Sequence, residues 1–220
     1  IENNVRALFM QATGNKGGFG PLRCYLITKL MWNPVADPEA IIDDFLEGYY
    51  GKAAKFLKTY IDSMRESMLK EDFRLNIFGD PRDAVNNYLA PAMMTKYHLL
   101  YDNAEKAVSG DKEKLDRVRI ARLPLLIAEI QIAGQIPVGE SGSFYEIDVN
   151  GRVIPKPEMR EKVEDFVARA KKAGHCKARI KPHPLPALSI SALSITACPN
   201  CIQKISTARQ FSSTTTAQCH

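Results

Sequence analysis

The sequence predicts a mainly α fold: a helical bundle with a small β-hairpin, preceded by a single apolar strand and followed by a disordered tail. Apolar residues recur at helical spacing in successive segments from about residue 21 to residue 173. One Asn-Gly pair stands between two short alternating runs, which is the usual signal of a hairpin. Residues 185–220 contain no acidic residue and eleven Ser or Thr, a composition that predicts a disordered or out-of-frame tail.

Size and composition allow one or two domains with a real core, because the chain has 220 residues and 45% of them are hydrophobic. The net charge of +5 is spread along the chain and forms no basic stripe, so nucleic acid is not an expected partner. No apolar run reaches the roughly 18–20 residues of a membrane span, and no charged-then-apolar signal segment opens the sequence. No cofactor is expected.

The first 32 residues predict a strand, a loop and a helix. The mostly apolar run Val5–Met10 predicts a buried strand, and the four glycines of Gln11–Gly20 predict a loop. Pro21 suits the first turn of a helix that runs to about Trp32. Because no later segment offers the strand an obvious partner, we expect the chain to be the C-terminal part of a larger protein. The glycines precede a helix, but no Lys-Ser/Thr pair follows them, so a phosphate-binding loop is not favoured.

The central helices carry clear start signals. Asp37 is a predicted N-cap before Pro38, and Gly51 is the predicted end of that helix. After Arg119 the fifth helix is apolar on nearly every face, so we expect it in the middle of the bundle, kinked or divided at Pro124. The remaining helices are predicted over about 52–70, from Asp80-Pro81, from Pro91, over about 112–135 and over about 157–173, with the hairpin near 145–154.

Four residues of the tail have the spacing of a zinc site. Cys198 and Cys201 form a CxxC pair, and Cys219 with His220 completes a set of four ligands. Seventeen mostly small polar residues separate the two halves, and no predicted element presents them. A redox role would need a helix N-terminus to lower a thiol pKa, and none is predicted here. We therefore expect no metal or redox site.

Other side chains that could do chemistry have simpler interpretations. The carboxylates Asp43, Asp44 and Glu47 lie on the polar face of a predicted amphipathic helix, where solvation is the expected role. His98 has no companion His or Cys, so a structural or exposed histidine is expected.

Three aromatic side chains could stack on sugars. They are Trp32 and the pair Tyr49-Tyr50. All three stand where helices need packing anchors, and core positions are favoured.

The segment that shows a family resemblance most clearly is Leu22–Ala54, LRCYLITKLMWNPVADPEAIIDDFLEGYYGKAA. This segment resembles a recurrent signature of large bacterial proteins in the domain-of-unknown-function family numbered 4838. The segment RVRIARLPL, the hairpin and the final helix fit the same family, so the resemblance covers residues 1–174. Members are similar to carbohydrate-active enzymes, among them α-glucuronidases, with a (β/α)₈ barrel followed by a helical region.

The resemblance implies three parts: residues 1–20 as the last barrel strand and its loop, 21–174 as a helical domain, and 175–220 as a tail that departs from the family. Loops after barrel strands lie on the catalytic face. The implied sugar-lining residues are Gln11, Asn15, Lys16 and Phe19, the last by stacking.

The resemblance also implies a secreted or periplasmic glycoside hydrolase as the parent. Glycosidases use two carboxylates across the scissile bond, and Glu2 is the one acid of residues 1–20. We therefore expect this chain alone to be inactive, with the missing barrel and a carbohydrate as its partners. The alternative is a free-standing helical protein-interaction module.

Overall fold

The computed structural model describes residue 7, residues 18–74 and residues 79–173. The predicted loop up to Gly17 and the predicted tail lie outside these residues, and of the predicted strand Val5–Met10 only Ala7 is described, as an exposed residue. The elements are α1 (Gly20–Trp32), α2 (Pro38–Tyr50), α3 (Ala54–Lys70), α4 (Pro91–Ala107), α5 (Lys112–Ala133), β1 (Tyr145–Ile147), β2 (Val153–Pro155) and α6 (Pro157–Lys172), with 3₁₀ turns at Gly51–Ala53 and Pro81–Ala84. The predicted mainly α class with one hairpin is confirmed.

Two of the helices begin at an Asp cap, and one of these caps is the predicted Asp37. The Asp37 carboxylate accepts a hydrogen bond from the backbone N–H of Glu39 at 3.0 Å, and Pro38 supplies the first residue of α2. Asp111 accepts from the backbone N–H of Lys114 at 3.1 Å and starts α5 in the same way. Such caps satisfy N–H groups that have no partner within the helix, which fixes where each helix begins.

Helix α5 runs through the middle of the fold, as predicted, and Pro124 lies inside it without dividing it. One side of α5 contributes Val118, Ala121, Leu125 and Ala128 to a large core shared with α1–α4. The other side contributes Leu123, Ile127, Ile130 and Ala133 to a smaller core shared with the hairpin and α6. A helix that separates two cores must be apolar on both sides, which explains its missing polar face.

The hairpin predicted from the Asn-Gly pair is present, but the connection between its two strands is longer than two residues. The strands pair antiparallel with Ile147 opposite Val153. The Asp148 carboxylate accepts from the backbone N–H groups of Asn150 and Arg152, each at 2.8 Å, and Gly151 takes the positive φ of +73° that closes the turn. This three-residue ladder depends on the second core for stability.

Among the helices of the described residues, none is both long and apolar enough to cross a membrane.

Candidate functional site

The described end of the predicted loop is built into the first core. Gly18, Phe19 and Gly20 are all buried, immediately before α1. Three of the predicted sugar-lining residues, Gln11, Asn15 and Lys16, lie outside the described residues. The structure therefore locates the point from which this loop leaves the helical domain.

Phe19 packs inside the domain. Its side chain is 5% exposed, and its ring lies 6.1 Å from the ring of Tyr60 at 29° and 6.2 Å from that of Tyr50 at 70°. Such stacked and edge-on contacts stabilise aromatic cores. Stacking on a sugar needs an exposed ring face, and Phe19 has none in this structure. Its role here is to hold the end of the loop.

Gly18 brings the same segment against the middle of α5. Its φ of +57° is a conformation that residues with a Cβ rarely adopt. A Cβ built on Gly18 would stand 3.0 Å from Cγ of Pro124. Both backbone conformation and space therefore favour glycine, and this segment contacts the helix that separates the two cores.

Beneath Phe19 lies a cluster of buried tyrosines. The rings of Tyr60 and Tyr101 are 4.8 Å apart, those of Tyr60 and Tyr97 are 5.1 Å apart, and the Tyr101 hydroxyl donates to the carbonyl oxygen of Ala121 at 2.8 Å. Burial raises the pKa of all three phenols above the ordinary value. They stay neutral at physiological pH, far from the pKa that proton transfer at neutral pH requires, and so serve packing.

A second aromatic row lies partly buried between α1 and α2, and its members Phe45 and Tyr49 pack against the first core. The Phe45 ring is 5.3 Å from that of Tyr25 and 4.9 Å from that of Tyr49, and the Arg117 guanidinium stands 4.1 Å from the centre of the Tyr49 ring. The Tyr25 hydroxyl donates to Asp44 at 2.6 Å. Tyr50, next in sequence, is buried as predicted.

The predicted solvated carboxylates Asp43, Asp44 and Glu47 are exposed on α2. The prediction of a solvated face is confirmed for them. Beyond the Tyr25 contact of Asp44, the helix presents these groups to water.

Trp32 was predicted to be a packing anchor, and this prediction is wrong. The side chain is 91% exposed at the end of α1. Apolar side chains lie on several sides of α1, and those that face α2 are the ones buried in the core. Trp32 falls on the opposite half of the helix surface, which the described residues leave uncovered.

His98 belongs to an ion network that joins three helices, which confirms the expectation of a structural histidine. Its Nδ1 lies 3.0 Å from the Arg122 guanidinium, and its Nε2 lies 3.4 Å from a carboxylate oxygen of Glu129. Lys162 of α6 also donates to Glu129. Burial alone would raise the pKa of Glu129, but contacts with His98 and Lys162 outweigh it and lower that pKa to about 2.

A shallow groove of about 310 Å³ lies between α5 and α6. Its charged lining pairs within itself: Lys172 contacts Asp116 at 2.7 Å, and Arg169 contacts Asp165 at 2.8 Å. Arg119 in turn contacts Glu105 at 3.1 Å. Each of these three cations contacts a carboxylate, and the lining itself holds one cation more than it has carboxylates.

Metal ligands are not assembled in the described residues, which hold no cluster of three or more His, Cys, Asp or Glu at suitable distances. The zinc-like set Cys198, Cys201, Cys219 and His220 lies outside them. Cys24, an exposed residue of α1, is a free thiol.

Comparison with known proteins confirms the resemblance over part of the chain. Residues 1–62 match the model of a family described as a domain of unknown function, DUF4838. The match runs from the predicted strand through the buried Gly18–Gly20 segment and α1, and ends within α3. No curated protein and no solved structure matches the chain.

The sequence did not reveal the anchoring role of Phe19 or the network around Glu129. A glycine-rich segment predicts a loop, and the burial of one aromatic residue inside it depends on Tyr50 and Tyr60, which come more than 30 residues later. A large aromatic side chain among glycines at a helix start was the one available signal, since such a residue has to pack somewhere.

Proposed function

We propose that this chain is the C-terminal helical part of a glycoside-hydrolase-like, carbohydrate-active protein, in which it is an accessory to a barrel domain and is not catalytic alone. The observation that carries the proposal is the anchor at Gly18–Gly20. The segment that would line a sugar site ends inside the helical core, and the family match runs unbroken across that junction. Burial of the loop's last residues in the helical core supports assigning the loop and the helices to one protein unit in this proposal.

In this proposal the helical domain positions the loop. Phe19 and Gly18 fix its downstream end against Tyr60 and Pro124, which leaves Gln11, Asn15 and Lys16 on the segment between that anchor and the predicted strand. An amide, a second amide and an ammonium can hydrogen-bond to sugar hydroxyls or to a sugar carboxylate. A catalytic pair of carboxylates would come from the barrel.

The test compares two proteins on a panel of aryl glycosides: the 220-residue chain and the same chain with the upstream reading frame included. We expect turnover by the longer protein and none by the 220-residue chain above an empty-vector control. Within the longer protein, Lys16→Ala should weaken substrate binding and raise KM, while the matched exposed variant Lys106→Ala should not. Turnover by the 220-residue chain would refute the accessory role.

A second candidate, a free-standing protein-interaction module, has its own supporting observation. The hairpin exposes the cross-strand pair Ile147 and Val153, with Val149 at its tip. Apolar side chains exposed together on one hairpin favour a partner surface. This candidate predicts a complete gene with no barrel upstream, and a partner whose binding is lost in Ile147→Ser.

A further inference from the structure

One helix face of the described structure is apolar and uncovered. Leu22 and Leu26 of α1 face the first core, while the opposite side presents a stripe at helical spacing. We define this stripe as the outer face of α1; it consists of Cys24, Ile27, Thr28, Met31 and Trp32. Met31 is 44% exposed and Trp32 is 91% exposed, and Val35, which follows the helix, is 75% exposed.

The outer face of α1 differs from ordinary solvent-facing helix surfaces by its lack of charge. The stripe contains no Asp, Glu, Lys, Arg or His. Lys29 of the same helix lies beside it, with its ammonium 5.1 Å from the centre of the Tyr25 ring. Helix α2 presents three carboxylates to water instead. A helix face without charged residues is the kind of face that another element covers in a folded protein.

The one hydroxyl on this face is already satisfied within the helix. Thr28 Oγ1 donates to the carbonyl oxygen of Cys24 at 2.8 Å, which turns the methyl group of Thr28 outward. If another element covered this face, the Thr28 hydroxyl would keep its hydrogen bond. Burial of the face would therefore avoid the free-energy cost of an unpaired hydroxyl.

We propose that the outer face of α1 is the docking surface for the β-sheet that contains the strand predicted at Val5–Met10. A helix that directly follows a strand through a short connection packs its apolar side on that strand's sheet. Residues 11–17 reach at most about 25 Å when extended, and the 13 residues of α1 span about 20 Å. The strand can therefore lie along the whole helix as far as Trp32.

The hairpin of the described residues cannot be this sheet, because β1 and β2 pack on the second core, on the other side of α5. The other strands of the sheet come from the barrel of the proposed function, and the inference rests on that function to this extent. The docked face would bury Trp32 and Met31 between two layers, the usual arrangement of a helix on a sheet.

Hydroxyl-radical footprinting with residue-level mass spectrometry tests the docking surface. The 220-residue chain is compared with the protein that includes the upstream frame. We expect modification of Met31 and Trp32 to fall several-fold in the longer protein, while the exposed Leu69 and Leu99 stay unchanged. In the longer protein the docked sheet should also protect Cys24 from alkylation. The double variant Met31→Ser with Trp32→Ser should restore that alkylation, and the control Leu69→Ser should not.

The outcomes separate this inference from the proposed function. A barrel-containing longer protein in which Met31 and Trp32 remain fully reactive would overturn the docking surface and leave the proposed function standing. An upstream frame without a barrel would overturn both. Protection of Trp32 in the 220-residue chain, together with a dimer mass in sedimentation, would assign the face to a second copy and overturn the sheet as its occupant.

Discussion

Gly18 lies against Pro124, and the space between them is tight: a Cβ on Gly18 would stand 3.0 Å from Cγ of the proline ring. Two segments separated by more than 100 residues thus meet at the junction between the predicted loop and the helical core. Because the family match covers the first segment, this contact is where the family-specific part of the chain meets the middle of the bundle.

Gly18→Ala should destabilise the protein by about 1–2 kcal/mol, because alanine is strained at a φ of +57° and its methyl group would press on Pro124. Gly48→Ala is the matched control. A Cβ there meets nothing within 4 Å, and alanine in a helix is favoured over glycine by up to about 1 kcal/mol. Urea unfolding measures both, and equal effects of the two variants would contradict the account.

Phe19→Ala should cost about 3–5 kcal/mol of unfolding free energy, because it removes a buried ring from between Tyr50 and Tyr60. Trp32→Ala in the 220-residue chain should change stability by no more than about 0.5 kcal/mol, since its side chain is exposed. Thermal or urea unfolding compares the two. A large loss for Trp32→Ala would show that the outer face of α1 is already covered in this chain.

Tyr101→Phe should destabilise by about 1–3 kcal/mol, because the buried carbonyl oxygen of Ala121 loses its hydroxyl donor. Tyr97→Phe is the control. The hydroxyl of Tyr97 is buried without a hydrogen-bond partner within the described residues, so its removal should be neutral or stabilising. Both variants keep the ring, and denaturant midpoints are the readout. The reverse order of effects would refute the hydrogen-bond assignment.

Acid should weaken the junction between α5 and α6 through Glu129. Its pKa falls from 4.5 to about 2 on folding, so its stabilising contribution is complete above about pH 4.5 and is lost as the pH drops toward 2. Glu129→Gln should lower the unfolding free energy at pH 7 by about 1–3 kcal/mol. Its acid dependence below pH 4.5 should be shallower than in the parent chain. The exposed Glu164→Gln is the control, and urea midpoints at pH 7, 4.5 and 3 provide the measurement.

The helix boundaries could be predicted from local chemistry, whereas the environment of single side chains could not be predicted from the sequence. Asp37 and Asp111 act as caps through their own backbone neighbours, so the sequence nearby contains the whole interaction. His98, Arg122 and Glu129 come from two helices and meet Lys162 of a third, and no short pattern encodes such a meeting. The central position of α5 could be predicted because its sequence is apolar on nearly every face, as a helix between two cores requires.

Trp32 shows why an apolar helix is ambiguous when read from sequence. An anchor inside a bundle and a contact for a further layer require the same residue types at the same spacing. The structure separates them, because the described part of the fold covers Leu22 and Leu26 and leaves Trp32 exposed.

Sequencing the genomic DNA upstream of the codon for Ile1 tests the central claim most directly. The account predicts that the reading frame continues without a stop into a segment encoding alternating strands and helices of a (β/α)₈ barrel, with the Val5–Met10 strand as its last. A start codon immediately before Ile1, with no barrel in frame, would contradict the claim and leave a free-standing helical module.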